Sequence, residues 1–205
     1  MADELMNNTL KAWGFLYRHG FIEGFGHLSA RLSDDRFMIA RHSLGPRATP
    51  EDFVIMDLEG RKLDGKGDPP AEAAIHLAIF RVRPDVKSVI HYHGMYSTSF
   101  TTSEQTLKPI HLMGTLFHDG IPVYPDVKLV RDPQRGAALA QTLGPHRAVL
   151  MRGHGATITG PNVEDCVAAA FLFEENAHRA ILSATLGKPQ WIDDQTAAEI
   201  GRAHV

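Results

Sequence analysis

The sequence predicts an α/β fold, a sheet covered by helices on both faces. Three observations predict it. Segments 3–19, 133–143 and 162–186 carry apolar residues at helical spacing. Short apolar runs at 37–40, 53–57, 86–93 and 148–151 read as strands. The two kinds are interspersed along the chain, which spreads helices around a sheet instead of segregating them.

The elements follow in order. The first helix, 3–19, aligns Leu5, Met6, Leu10, Trp13, Leu16 and Tyr17, and Gly20 is its stop. Gly24-Phe25-Gly26 marks a turn. Two strands, 37–40 and 53–57, flank a loop with Arg41, His42, Gly45, Pro46 and Arg47. Asp68-Pro69 couples an N-cap to a first-turn proline and predicts a helix from there to about Arg83, where Pro84 ends it. Ile75, Ala78, Ile79 and Val82 form its buried stripe. Val86 to His93 is a strand, residues 97–101 begin a helix, and extended pieces lie near 109–113 and 121–124. Helix 133–143 closes on Gly144-Pro145. Strands at Ala148–Met151 and Ala156–Thr159 surround a tight turn, Gly153-His154-Gly155. The longest helix, 162–186, is capped by Asn162 and stopped by Gly187, and a last one occupies 193–203.

Composition narrows the function. The 205 residues, 43% hydrophobic and 22% charged, suit one globular domain, 1–205, without repeat or linker. A net charge of −3 supplies no basic field for nucleic acid. No apolar run reaches the roughly 18 residues that cross a membrane. The acidic opening Met1-Ala2-Asp3-Glu4 lacks a leader core. The single cysteine, Cys166, rules out a disulfide within the chain and fits a reducing cytoplasm. The unusual number is 12 histidines.

Their spacing points to chemistry. In Ile90-His91-Tyr92-His93-Gly94, residues two apart on a strand share a face, so two imidazoles stand side by side. The alternative is two unrelated histidines at a strand end. His154, between two glycines, sits where the chain can approach another group closely. Its alternative role is to satisfy backbone groups in the turn. Three neutral imidazoles with an open position make a catalytic type of site for a divalent ion. Glu72 is the fourth candidate. Its carboxylate either ligates and moves protons, or answers the dipole of the helix that starts near Pro69.

Four motifs, Gly26-His27-Leu28-Ser29, Pro70-Ala71-Glu72, His91-Tyr92-His93 and Gly153-His154-Gly155, come in the order of the class II aldolase/adducin family, which the chain resembles over nearly its whole length. The resemblance implies a three-layer α/β/α fold around a mostly antiparallel sheet. It implies metal ligands at His91, His93 and His154, with Glu72 as acid/base, and a homotetramer with sites between subunits. Zinc, manganese, cobalt or iron suits such donors.

Sugar-phosphate aldolases of this family bind phosphate with an asparagine after the first glycine, a hydroxyl-bearing glycine loop and a serine pair before the glutamate. Here those places hold His27, Arg41-His42-Ser43-Leu44-Gly45 and Pro70-Ala71, and proline and alanine offer no hydroxyl donors. The Gly-His-Leu-Ser-Ala-Arg form at 26–31, with Leu172-Phe173-Glu174-Glu175-Asn176-Ala177, is more similar to a branch of metal-dependent decarboxylases of hydroxylated aromatic or pyridine dicarboxylates, which also holds iron oxygenases.

The expected activity is decarboxylation of a small anionic substrate. Glu72 would carry the proton, aided by His27 or Tyr92. Arg41, Ser43, Ser29 and Arg152 are candidate substrate-binding residues, and Arg41, Arg47 and Arg152 can pair with a carboxylate through two hydrogen bonds. The alternatives are an aldolase for a non-phosphorylated hydroxy-keto acid, an iron oxygenase and a non-catalytic adducin-like binding protein. His76 is expected to be a packed supporting residue, and Cys166 inert.

Overall fold

The computed structural model describes residues 2–203; Met1, His204 and Val205, the ends of the expected domain, lie outside the described residues. In chain order the helices are α1 (Ala2–Arg18), α2 (Ala73–Val82), α3 (Met95–Thr101), α4 (Pro133–Leu143), α5 (Val163–Leu186) and α6 (Asp194–Ala203). The strands are β1 (His27–Arg31), β2 (Arg36–Ala40), β3 (Phe53–Asp57), β4 (Lys62–Asp64), β5 (Ser88–Tyr92), β6 (Val123–Tyr124), β7 (Ala148–Met151) and β8 (Gly155–Gly160). They form one eight-stranded sheet in the order β4-β3-β2-β1-β5-β8-β7-β6. Every neighbouring pair is antiparallel except β6 with β7. This is the expected mostly antiparallel α/β/α architecture.

The two-residue period of the strands builds the layers. Leu28, Ala30, Met38, Ile90, Tyr92 and Ile158 face one way, against Trp13 and Leu16 of α1 and Phe173 and Ala177 of α5. Phe37, Ile39, Val54, Val89 and Val149 face the other way, against Ile75 and Ile79 of α2 and Leu139 of α4. Each fully buried side chain of this size contributes about 1.5–3 kcal/mol. Trp13 also donates its indole N–H to the Gly45 carbonyl at 2.9 Å, tying α1 to the loop after β2. Among the described residues no helix is long and apolar enough to cross a membrane.

Several elements differ from the sequence expectation. The helix expected from Asp68-Pro69 starts only at Ala73. Pro70 bars Pro69 from helical geometry, because a residue before proline clashes with the ring there. Glu72 therefore sits at the N-cap rather than inside the first turn. Val82, placed in the buried stripe, is 61% exposed at the helix end. The extended piece near 109–113 gives way to a 3-10 turn, Leu112–Phe117. The strand expected to run to His93 stops at Tyr92, and α3 starts at Met95 instead of 97.

Strands β1 and β4 were not foreseen. β1 reads His-Leu-Ser-Ala-Arg, yet all five residues are buried. Its polar face packs under α2, where the Arg31 guanidinium donates to the carbonyls of Phe80, Arg83 and Val86. Carbonyls at a helix C-terminus favour a cation. Arg31 therefore replaces an apolar contact with satisfied hydrogen bonds, which hides the strand from a hydrophobicity reading. β4 is an exposed edge strand of three residues with a single apolar one, Leu63, too short to show a period.

Candidate metal centre

The centre lies at one end of the sheet, where β5 and β7 finish and β1 and β8 begin. His91 is fully buried near the end of β5, opposite His27 of β1 and Thr157 of β8 in the strand register. Its Nδ1 lies 3.1 Å from the Ala156 carbonyl, which accepts the Nδ1 proton. The Nε2 lone pair is then free to face the centre. His93 follows two residues later, just past the strand, and its Nε2 is 3.2 Å from that of His91.

His154 is delivered by the turn between β7 and β8. Gly153 holds φ +61°, a conformation that a side chain would strain. At Gly155 a side chain would run into the Tyr92 carbonyl and the His93 ring. The three imidazole centroids are each 5.0 Å apart. Both ring nitrogens of His154 are buried and have no hydrogen-bond partner among the described residues. The turn histidine therefore serves no backbone group.

Glu72 completes the set. Its Oε1 accepts the Val130 backbone N–H at 2.7 Å, which aims Oε2 at the histidines: 3.4 Å from His154 Nε2 and 3.9 Å from His91 Nε2. Its carboxylate makes no capping hydrogen bond to α2, and the Val130 amide holds it instead. Glu72, His91, His93 and His154 each offer a donor atom, all within 4.8 Å of one another. Such convergent lone pairs repel unless a cation or protons lie between them, so these donors fit a divalent ion.

Electrostatics keeps His91 and His93 neutral and Glu72 charged. Burial, followed by neighbouring His27, His154 and His93, holds His91 well below the usual imidazole range. Burial and then His154 lower His93. Neutral imidazole is the species that binds a metal. For Glu72, burial pushes the carboxyl up, but the His154 contact, the neighbouring His91 ring and the Val130 amide outweigh it and hold it low. Glu72 is therefore ionised at neutral pH.

The remaining candidates divide. His27 is on the same sheet face, with its ring centroid 5.5 Å from that of His91, and its buried Nδ1 is unpartnered. Burial, then His76, lowers its pKa well below the usual value. Tyr92 does not join the centre: it points to the opposite face of the sheet, among the residues packed by α5. Its hydroxyl donates to the Ala170 carbonyl at 3.4 Å. Ser29 does not either. It is fully buried under α2, with Oγ 2.7 Å from Nδ1 of His76, so it cannot meet a substrate. His76, buried and pushed down to about 3 by desolvation, packs behind the site as expected.

Arg41 directly follows β2, the strand beside β1, but its guanidinium is paired with Asp52 at 2.7 Å. Ser43 is exposed with φ +54°, and Arg47 is exposed. Arg152, also exposed, adjoins the His154 turn and makes no ion pair among the described residues. Sequence reasoning missed the Val130 amide and the Ala156 carbonyl. Both are main-chain groups, on which residue type carries no signal.

Three imidazoles and a buried carboxylate, gathered at the end of an α/β/α sheet, define a protein with a site able to hold one divalent metal. The chain belongs to the Class II Aldolase and Adducin N-terminal domain family, whose model matches residues 8–181. It is 30% identical over 188 residues to the 3,4-dihydroxyphthalate decarboxylase of Terrabacter sp. (strain DBF63), covering 83% of this chain and 77% of that one. It is 29% identical over 173 residues to the 3-oxo-tetronate 4-phosphate decarboxylase of Haemophilus influenzae, covering 78% of this chain and 79% of that one. The fold is that of a solved L-fuculose 1-phosphate aldolase, with a TM-score of 0.89 at 20% identity over 98% of this chain and 96% of the other. The family and these relatives make the chain a member of a lyase family.

Proposed function

We propose that this protein is a divalent-metal-dependent decarboxylase of a hydroxylated aromatic or related dicarboxylate. The observation that carries the reading is the convergence of His91, His93 and His154 with the Glu72 carboxylate. The names of the relatives support decarboxylation over aldol cleavage. The replacement of hydroxyl donors by Pro70-Ala71 before Glu72 supports a substrate without phosphate.

His91, His93 and His154 would hold the ion. When bound, it supplies Lewis acidity toward a substrate hydroxyl or oxo group and the neighbouring negative charge. Glu72, ionised and fixed by Val130, takes the proton of that hydroxyl and returns it to the ring carbon from which CO2 leaves. His27, neutral on the same face, relays the proton that the product hydroxyl regains from solvent. Arg152 pairs with the second carboxylate. The departing carboxylate is left without a cationic partner, since such pairing would stabilise the ground state.

The reading extends to a homotetramer in the cytoplasm, with sites completed between subunits; light scattering of four copies is the expected result. The decisive test is metal analysis, followed by incubation with hydroxylated aromatic dicarboxylates while CO2, aldehyde and O2 are followed. One Zn, Mn, Co or Fe per chain and CO2 without aldehyde are expected. Aldehyde without CO2 would make it an aldolase, and O2 consumption an oxygenase. No turnover with any metal would leave the adducin-like binding role.

A further inference from the structure

The three histidines are not equally supported. His91 lies within a strand of the sheet interior. His93 stands one residue past that strand, and His154 occupies a three-residue crossing between β7 and β8. Ligands on loops hold their geometry only when neighbouring groups fix them. The short helix α3 touches both loops, one at each end.

Its first turn follows His93 directly. Gly94 is the N-cap and has no side chain to bond the free amides. Glu174, from the middle of α5, supplies the acceptor instead. Its Oε1 takes the Tyr96 N–H at 2.7 Å and lies 3.3 Å from that of Ser97. The carboxylate fills the place where a side chain at Gly94 would stand, beside Ser97 Oγ and the Tyr92 ring. Tyr96 also stacks on His178 of α5, with centroids 3.9 Å apart and planes 10° from parallel.

At the other end, Thr101 Oγ1 accepts the Gly153 N–H at 2.8 Å, inside the turn that carries His154. The Thr101 hydroxyl proton goes to the Thr98 carbonyl at 2.6 Å, which leaves a lone pair for that amide. One seven-residue helix therefore ties the backbone beside His93 to the backbone beside His154, and Glu174 pins it to α5.

We propose that α3 is a bracket that sets the distance between the two loop-borne ligands, with Glu174 and Thr101 as its positioning residues. The inference rests on the reading of the three histidines as metal ligands. It gives the Glu174-containing motif of α5 a part in the centre without contact to substrate or ion. A purely structural role for Glu174, capping a helix, would alter stability and leave the ligands alone.

The test is Co2+ titration of the full chain, read by visible absorption, beside thermal unfolding of the metal-free protein. Glu174→Ala and Thr101→Val are expected to weaken Co2+ binding by about 10-fold or more and to change the spectrum, in the range seen for groups that orient ligands. Glu174→Gln and Thr101→Ser, which keep an acceptor oxygen, are expected to recover most of the affinity. The control is Asn176→Ala, two residues further along α5. That side chain holds Ile110 N–H and the Lys108 carbonyl instead of α3. Its loss is expected to lower the melting temperature and leave Co2+ affinity unchanged.

Wild-type affinity and spectrum in both Glu174→Ala and Thr101→Val would overturn the bracket, as would equal weakening by Asn176→Ala. If Glu174→Ala does not fold, Thr101→Val decides alone, because a half-buried hydroxyl is replaced by a side chain of the same shape. If the wild-type chain binds no Co2+, the metal reading fails first and the bracket falls with it. Normal wild-type binding with unaffected variants removes the bracket only.

Discussion

Replacing Arg41 by alanine separates a scaffold role from a substrate role. The guanidinium Nε is 2.7 Å from Asp52 Oδ1, with 31% of the arginine side chain and 10% of the aspartate side chain exposed. The Arg41 hydrogen bond is the main reason that the Asp52 carboxyl falls from 3.8 to about 2; burial opposes it, and the Thr49 amide and hydroxyl assist. That drop corresponds to about 2 kcal/mol, at about 1.36 kcal/mol per pH unit. Thr49 keeps a share, and solvent screens a partly exposed guanidinium. Arg41→Ala should therefore cost about 1–2 kcal/mol at pH 7, a fall of roughly 2–8 °C in melting temperature.

The sign with pH follows from the depressed carboxyl. Its stabilisation is fully present above the unfolded value of 3.8 and is lost as pH falls through the folded value of about 2. Urea unfolding of wild type, Arg41→Ala, Asp52→Asn and the double variant should show a gap at pH 7 that closes between pH 4 and 2. The double variant should lose less than the two single losses combined. Substrate KM should be little changed. Unaltered stability at pH 7 with a KM raised about 10-fold would refute the reasoning and return Arg41 to the substrate pocket.

Three further outcomes test the centre. Glu72→Gln keeps an acceptor for the Val130 amide but no proton-accepting carboxylate, so bound metal should persist while CO2 release falls by about 100-fold or more; turnover within a few-fold of wild type would remove Glu72 as the proton carrier. Tyr92→Phe should leave turnover within about twofold, because the phenol faces α5 and a change there costs only a weak hydrogen bond; a loss near that of Glu72→Gln would contradict the face assignment. Arg152→Ala should raise KM for a dicarboxylate about 10-fold at unchanged metal content, and an unchanged KM would assign the second carboxylate to another group.

Much of the fold was legible because apolar period and end signals agree. α5 begins after Asn162, whose side chain accepts the Asp165 N–H, and ends at Gly187, as the sequence indicates. α4 is likewise bounded by Asp132 and Gly144. The miss of β1 has a definite cause. β1 buries polar residues that are satisfied by distant partners, Arg31 by α2 carbonyls and Ser29 by His76. Local hydrophobicity cannot register a partner 47 or 49 positions away. The late start of α2 was legible from Pro69-Pro70, given the restriction that the second proline places on the first.

For the site, the same period-two argument that pairs His91 with His93 also sends Tyr92 to the other face, so the motif alone was enough to exclude the phenol from the centre. Parity does not fix depth. Ser29 shares a face with His27, but α2 lies over it and closes it to substrate. Nor does parity reveal commitment: Arg41 stands at the right end of the sheet and is already paired. What spacing cannot supply is the backbone that aims each donor. Val130 N–H turns Glu72, the Ala156 carbonyl sets the His91 tautomer, and α3 spans the loops of His93 and His154. The identity of the candidate donors is therefore written in residue type, whereas their geometry depends on main-chain groups brought together by the order of strands in the sheet.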